Sequence, residues 1–165
     1  MDTSTPTVVW LNGAINSGKT ATAKALQKLM PRTAHVEVDN LNAFIGWMPL
    51  NEAIPIDLDN AIAVAGVFVA HQVNVVVSYP LSTACHRRVS ERASFPIRIF
   101  TLKPPLEICL KDRGQRPLSD WERQRIRYHY GGDLDLEIGV VIDNSTMSSA
   151  DCAATIVRAI AGTPP

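Results

Sequence analysis

Eight consecutive residues near the start of the chain have the types and spacing of a phosphate-binding loop, or P-loop. Residues 13–20 fit the pattern GxxxxGK(S/T), in which two glycines let the backbone approach an anion and point its amide N–H groups at phosphate oxygens. The lysine supplies a positive charge for the β- and γ-phosphates, and the threonine hydroxyl is a ligand for Mg²⁺. A glycine-rich turn that binds nothing is the alternative. The pattern favours a nucleoside triphosphate with Mg²⁺, held by Gly13, Ala14, Ile15, Asn16, Ser17, Gly18, Lys19 and Thr20.

The segments on either side of the loop must position it. The apolar run 8–11 before it is typical of a buried strand, and apolar residues at helical spacing follow it until Pro31, which cannot continue a helix. Further apolar runs alternate with helical patterns, as in a parallel α/β sheet. We predict a three-layer α/β/α sandwich with five strands, at about 7–11, 35–38, 73–78, 97–102 and 140–142. Helices are predicted from the loop to Met30 and at about 57–72, 82–92, 104–111, 119–130 and 148–160, with a proline-containing loop at 49–55.

The composition is that of one ordinary globular domain. The chain has 165 residues, 46% of them hydrophobic, and a formal net charge of zero, which argues against broad electrostatic binding to nucleic acid. Three widely spaced cysteines favour neither a disulfide framework nor a zinc site. The first seven residues lack the features of a signal peptide, and polar residues interrupt the apolar segment 54–77. We therefore expect a cytoplasmic protein without a membrane span.

An acidic residue, Asp39, follows the second predicted strand. In sheets of this class ligands bind beyond the carboxyl ends of the strands, so the Asp39 carboxylate would face the γ-phosphate. There it would orient or deprotonate an acceptor hydroxyl and hold Mg²⁺ through water. The alternative is that Asp39 caps the short helix that follows. We predict a catalytic role for Asp39, with Thr20 and Asp39 as the metal-binding residues.

Three other loops carry polar side chains. Ser78 stands after the third strand, where many P-loop enzymes have a second acid for the metal, and would reach the metal through water or form a turn. Arg113 and Arg116 lie at a break between helices and suit either a mobile lid of about residues 113–130 over the triphosphate or a solvated turn. The loop after the fifth strand forms either a polar wall for the base or a tight turn, through Asp143, Asn144 and Ser145.

Aromatic and histidine residues outside these loops have less specific interpretations. Phe44, Trp47 and Met48 would form an apolar shelf for a substrate ring or part of the core, which is the commoner place for aromatic residues at helical spacing. The arginine-rich helix that ends near His129 is predicted to be a solvated face. His35 has no evident partner in the sequence and is assigned no role.

Taken together, the P-loop, Asp39, the segment 113–117 and residues 143–145 resemble the small-molecule kinases of the P-loop superfamily. The families in question are shikimate kinase, gluconate kinase, adenylylsulfate kinase and chloramphenicol phosphotransferase. The likeness covers nearly the whole chain in the order of elements, while only the P-loop is a specific motif. It implies the P-loop NTPase fold with strand order 2-3-1-4-5. It also implies that Asp39 contacts the substrate hydroxyl, that Arg113 and Arg116 belong to the lid, and that the adenine loop lies near residues 143–145.

These residues predict an ATP- and Mg²⁺-dependent phosphotransferase that moves the γ-phosphate to a hydroxyl of a small molecule, a metabolite or an antibiotic. Lys19, Asp39 and Arg116 would be the catalytic residues, and Arg113 would also contact the nucleotide. Phosphoryl transfer depends mainly on positioning and charge neutralisation, so this small set suffices. Two alternatives remain: a regulatory protein that binds or slowly hydrolyses nucleotide, and a kinase of nucleic-acid ends. We expect no nucleic-acid or membrane partner, and a monomer or homodimer.

Overall fold

The structure is a computed structural model that describes residues 5–112 and 117–162. Its strands are β1 (Val8–Gly13), β2 (Thr33–Glu37), β3 (Asn74–Ser78), β4 (Ile97–Leu102) and β5 (Val140–Ile142). Its α-helices are α1 (Lys19–Leu29), α2 (Val38–Asn42), α3 (Leu50–Ala70), α4 (Thr83–Arg92), α5 (Leu106–Cys109), α6 (Asp120–Tyr128) and α7 (Ser149–Ile160). A 3₁₀ turn, Ala43–Ile45, follows α2, and a π-helical turn, His129–Asp133, follows α6.

The five strands form one parallel sheet in the order β2-β3-β1-β4-β5. Side chains alternate along β1, so Trp10 packs on one face with Leu58 of α3, and Leu11 packs on the other with Leu26 of α1 and Ile156 of α7. Burial of both faces explains why the strands read as continuous apolar runs. The predicted α/β class, three-layer arrangement and strand order are confirmed.

A buried amide side chain joins the loops at the carboxyl edge of the sheet. Asn12 Nδ2 donates to Thr101 Oγ1 at 3.0 Å and to the Asp135 carbonyl at 2.9 Å, and Asn12 Oδ1 accepts from the Leu81 N–H at 2.7 Å. A buried amide with donors and acceptor all satisfied stabilises one arrangement of its surroundings. The segments after β3 and before β5 are thereby fixed beside the P-loop.

Helix α3 begins at Leu50, so the predicted loop at 49–55 is wrong. Pro49 is the residue before the helix, and Pro55 lies in its second turn, where the missing N–H removes one backbone hydrogen bond from a helix of 21 residues. Burial of Leu58 and its neighbours on one side of the helix outweighs that loss. The two prolines did not produce a loop, because packing of the buried side of the helix has a larger effect than the loss at Pro55.

By length and composition alone, α3 would also suit a membrane span. In the structure it lies against β2, β3 and α4. Asp57 on its buried side accepts a hydrogen bond from Asn42 Nδ2 at 2.8 Å. The helix therefore covers the same face of the sheet as α4.

The helix starts at Ser82, Ser119 and Ser148 are as predicted. The Ser82 hydroxyl accepts from the Cys85 N–H, and capping boxes pair Ser119 with Glu122 and Ser148 with Asp151. Helix α5 is shorter than the predicted 104–111. These caps fix where α4, α6 and α7 begin relative to the sheet edge.

Candidate active site

The P-loop joins β1 to α1 through backbone angles that restrict its residue types. Gly13 has φ +141°, and a Cβ there would lie 2.5 Å from the Leu102 carbonyl oxygen. Gly18 has φ +98° and Asn16 has φ +63°, a left-handed conformation that asparagine tolerates. Positive φ angles at these three positions are typical of the tight turn that an anion-binding loop makes.

Side-chain amides hold the loop from two directions. Asn16 Nδ2 donates to the carbonyl oxygens of Cys109 and Lys111, both at 2.8 Å. Asn144 Nδ2 donates to the Ser17 carbonyl at 2.9 Å. Thus two predicted nucleotide-binding residues, Asn16 and Asn144, use their side chains to fix the loop to α5 and to the segment after β5.

The ammonium of Lys19 lies within the curve of the loop. Its Nζ donates to the carbonyl oxygens of Gly13 at 2.9 Å and Ala14 at 2.8 Å. Burial lowers the pKa of Lys19 to about 8, while the carboxylates of Asp39 and Glu37 act in the opposite direction. The side chain therefore remains mostly protonated at neutral pH and carries its charge where a phosphate would bind.

Glu37 is an acidic site residue that the sequence analysis missed. Its Oε1 accepts hydrogen bonds from Thr20 Oγ1 at 2.9 Å and from Ser78 Oγ at 3.3 Å. Glu37 and Ser78 are register partners at the ends of β2 and β3. The end of the neighbouring strand β2 thus places a carboxylate beside Ser78, where an acid was expected after the third strand. The available signal was a second acid two residues before Asp39, hidden because the strand was predicted to run to residue 38.

His35 belongs to the same group, contrary to the expectation that it has no partner. Its Nε2 lies 2.8 Å from Ser78 Oγ and 4.0 Å from Glu37 Oε2. Burial lowers the pKa of His35, with Glu37 acting in the opposite direction. A neutral imidazole therefore packs behind the carboxylate and helps to fix the Ser78 hydroxyl beside it.

Asp39 lies in the first turn of α2 rather than at a strand end, because β2 stops at Glu37. Glu37 occupies the N-cap position, so Asp39 is not the cap of this helix. Burial raises the pKa of Asp39, and the charges of Glu37 and Asp57 raise it further, while Lys19 opposes them. Such a carboxylate is a stronger base than an ordinary aspartate.

One cavity of about 310 Å³ brings these groups together. Its lining includes Ile15, Asn16, Gly18, Lys19, Thr20, Glu37, Asp39 and Pro80. A hydroxyl and a carboxylate 2.9 Å apart, Thr20 and Glu37, are oxygen donors of the kind that Mg²⁺ prefers, so the residues present fit that ion. Within residues 5–112 and 117–162, no cluster of three or more His, Cys, Asp or Glu side chains could hold a metal.

The loop after β5 forms a turn at the protein surface. Asp143 is exposed, and its Oδ1 accepts from the Ser145 N–H at 2.9 Å, which forms the tight turn that was one of two alternatives. A role of residues 143–145 toward a base stays a prediction. Arg113 and Arg116 lie outside the described residues, so the proposed lid is described only from residue 117 onward.

Helix α6, which follows that segment, has an exposed face and also contacts the rest of the protein. Arg123 donates to the Leu110 carbonyl at 2.8 Å and pairs with Asp112 at 2.7 Å. His129, just after the helix, is only 3% exposed, and its Nδ1 accepts a hydrogen bond from the Ile15 N–H of the P-loop at 3.3 Å. The helix is thus joined both to α5 and to the loop. No pattern in the sequence predicted the contact between His129 and Ile15.

The aromatic residues after α2 are exposed. Phe44 is 78% and Trp47 79% accessible to solvent, so the alternative that they belong to the core is wrong. They lie in the segment that begins five residues beyond Asp39 in the chain. Two large exposed aromatic side chains close in sequence to a candidate catalytic acid are a candidate binding surface.

Several solved structures, among them two named kinases, match the fold of this chain over nearly their whole length. A tunicamycin resistance protein of Deinococcus radiodurans has a TM-score of 0.67 and 23% identity, over 97% of this chain and 99% of that one. A sugar kinase of Janibacter has a TM-score of 0.70 and 16% identity, over 94% and 95%. The shikimate kinase of Acinetobacter baumannii, solved with shikimate, has a TM-score of 0.66 and 17% identity, over 96% and 94%.

The chain has the fold of the P-loop small-molecule kinases. This confirms the likeness that the motif and the order of elements implied. No protein-family model and no curated protein sequence matches the chain. At 23% identity or less, the structural likeness establishes the fold, and the chemistry has to be argued from the site itself.

Proposed function

We propose that this protein is an ATP- and Mg²⁺-dependent kinase that transfers the γ-phosphate to a hydroxyl of a small molecule. The observation that carries the proposal is a cavity lined by Lys19, Thr20, Glu37 and Asp39 at the carboxyl edge of the sheet. It combines a cation for phosphate, two oxygen donors for a metal and a carboxylate of raised pKa. Ligands of parallel α/β sheets bind at this edge.

The triphosphate would be held by the P-loop amides and by Lys19. The ammonium of Lys19 would exchange its carbonyl partners for phosphate oxygens, which it approaches as a point charge. Thr20 and Glu37 would hold Mg²⁺, which neutralises phosphate charge as phosphoryl transfer proceeds. Arg113 and Arg116 would add positive charge at the γ-phosphate, as their place in the sequence suggests. Asp143, Asn144 and Ser145 would lie near the base.

Asp39 would bind and activate the acceptor. A carboxylate accepts a hydrogen bond from an attacking hydroxyl and orients it toward the phosphorus, and a raised pKa improves it as a proton acceptor. The positive charge of Lys19 lowers the pKa of Asp39 and so opposes the effect of burial. The charges of Asp39 and Glu37 interact, so a Mg²⁺ ion held by Glu37 would also interact electrostatically with Asp39.

The acceptor would present an apolar or aromatic surface as well as a hydroxyl. Phe44 and Trp47 support this, because their exposed aromatic side chains would be removed from water by contact with an apolar or aromatic acceptor. A metabolite or antibiotic with a ring system has the required character. Two of the matching structures are of a sugar kinase and a tunicamycin resistance protein, so sugars and tunicamycin belong in the panel of acceptors to be tested.

The test is ATP consumption in the presence of Mg²⁺ across a panel of hydroxylated metabolites and antibiotics, run beside Lys19→Ala. Consumption that depends on one acceptor and disappears in Lys19→Ala, with the fold retained by circular dichroism, would support the kinase. Tight ATP binding without any acceptor-dependent turnover would favour a regulatory nucleotide-binding protein. Strongly salt-dependent binding of oligonucleotides would favour a kinase of nucleic-acid ends.

A further inference from the structure

The buried imidazole of His129 contacts the backbone of the P-loop. It begins the π-helical turn after α6, and such turns often occur at functional sites. Its Nδ1 accepts the backbone N–H of Ile15 at 3.3 Å, while its Nε2 lies 4.0 Å from Asp133 Oδ2. The same carboxylate oxygen pairs with Arg125 at 3.2 Å. The ring of His129 therefore lies between Asp133 of its own turn and the backbone N–H of Ile15 in the P-loop.

The hydrogen bond from the Ile15 N–H determines which ring nitrogen of His129 carries the proton. Because Nδ1 accepts from an N–H, it carries no proton, and the proton of the neutral ring is on Nε2, which faces Asp133. Burial lowers the pKa of His129 to about 4, and the charges of Arg125 and Lys19 contribute in the same direction. The ring is neutral near pH 7, so the acceptor at Nδ1 is always available there.

The peptide that His129 contacts also carries an acceptor for Lys19. In a trans peptide the N–H and the C=O point in opposite directions. The N–H of Ile15 points to His129, and the C=O of Ala14 on the same peptide accepts from Lys19 Nζ at 2.8 Å and from the Ser17 N–H at 3.2 Å. Rotation of this peptide would break all three hydrogen bonds together.

We propose that His129 is a positioning residue for nucleotide binding. By accepting the Ile15 N–H, it fixes the Ala14–Ile15 peptide, and through it the tight turn to Ser17 and the starting position of the Lys19 ammonium. The residue touches neither phosphate nor acceptor; it acts through the loop. The proposal rests on nucleotide binding by the P-loop, which is part of the proposed function.

The test compares three substitutions of His129 by the dissociation constant of MgATP, measured by calorimetry at pH 7.5. In His129→Asn the amide reaches the position of Nδ1 and keeps an acceptor there, so affinity should stay within about threefold of the wild type. His129→Gln moves the amide to the position of Nε2, and His129→Leu removes it. Both should weaken binding by about tenfold, the usual effect of leaving one N–H unpaired. Gln124→Leu, on the exposed side of α6, is the control and should bind as the wild type does.

The outcomes separate this proposal from the proposed function. If the wild-type protein does not bind MgATP, the proposed function fails, and this proposal fails with it. If the wild type binds and the Gln and Leu variants, folded by circular dichroism, bind within about threefold of it, His129 has no positioning role. Equal weakening in the Asn and Gln variants would also overturn the proposal, because it would assign the effect to lost packing. If His129→Leu does not fold, the comparison of Asn with Gln decides.

Discussion

The hydroxyl of Thr20, in the first turn of α1, donates a hydrogen bond to the carboxylate of Glu37, at the end of β2, across 2.9 Å. The two side chains come from different elements that meet only because β2, β3 and β1 are neighbours in the sheet. Glu37 also accepts from Ser78 of β3. A carboxylate on the outer strand can therefore serve where an acid on the middle strand is missing, since both strand ends face the P-loop.

Glu37→Gln should weaken the use of Mg²⁺ more than the binding of ATP. The amide can still accept from Thr20, but the negative charge that attracts the ion is lost. We expect the Mg²⁺ concentration for half-maximal turnover to rise by about tenfold or more, in the range seen when metal-supporting residues are removed. The measurement is a magnesium titration of turnover at saturating ATP. Glu52→Gln, at an exposed glutamate of α3, is the matched control. An unchanged magnesium requirement would remove Glu37 from the metal site.

Asp39→Asn should lower kcat by roughly two orders of magnitude or more, because an amide cannot take up the proton that the attacking substrate hydroxyl loses. The KM for ATP should change little, since Asp39 lies on the acceptor side of the cavity in the proposed mechanism. In the wild type, kcat should fall as the pH drops through the pKa of Asp39, which burial places above the ordinary aspartate value. Steady-state kinetics from pH 5 to 8 test both statements. Turnover at the wild-type level in Asp39→Asn would exclude it from catalysis.

The sequence predicted the fold well because its strongest signals were local. The P-loop, the valine-rich run of β3 and the serine caps of α4, α6 and α7 each depend on a few neighbouring residues. The strand order followed from the resemblance rather than from the residues. The start of α3 was missed because packing of Leu58 and its neighbours outweighed the two prolines.

The candidate site was predicted only in part. The P-loop and Asp39 lie on one cavity, as expected, but Glu37, His35 and His129 were missed or misassigned. Glu37 was missed because the strand was predicted to end one residue too late, which placed Glu37 inside the strand and not at its end. His129 contacts Ile15 across more than a hundred residues of chain. No spacing rule links two such positions, since the contact depends on how α6 packs against the loop.

Phe44→Ala and Trp47→Ala should each raise the KM for the acceptor by several-fold to tenfold, because aromatic area buried in the complex would be lost. The KM for ATP and the free energy of unfolding should change little, as both side chains are about 78–79% exposed in the free protein. Trp121→Ala, at a tryptophan of α6 that is 57% exposed, is the matched control. The kinetics are to be measured with the acceptor found in the panel. Unchanged KM values in both variants would place the acceptor elsewhere.

Acidification should destabilise the protein partly through His129. Its pKa is about 4 in the folded protein and about 6.5 when unfolded, so the unfolded chain takes up a proton first as the pH falls. The stability that the neutral ring contributes is complete above pH 6.5 and is lost progressively toward pH 4. Arg125 and Lys19 oppose a charge on the ring, and Asp133 favours it.

A shift of this size corresponds to about 3 kcal/mol of unfolding free energy between pH 7 and pH 4. The measurement is urea unfolding at several pH values for the wild type, His129→Asn and His71→Asn, which replaces an exposed histidine. Carboxyl groups contribute equally to all three curves, so only His129→Asn should lose less stability than the wild type on acidification. If the curves of the wild type and His129→Asn run parallel, the ring of His129 titrates as it does in the unfolded chain, and burial against Ile15 does not keep it neutral.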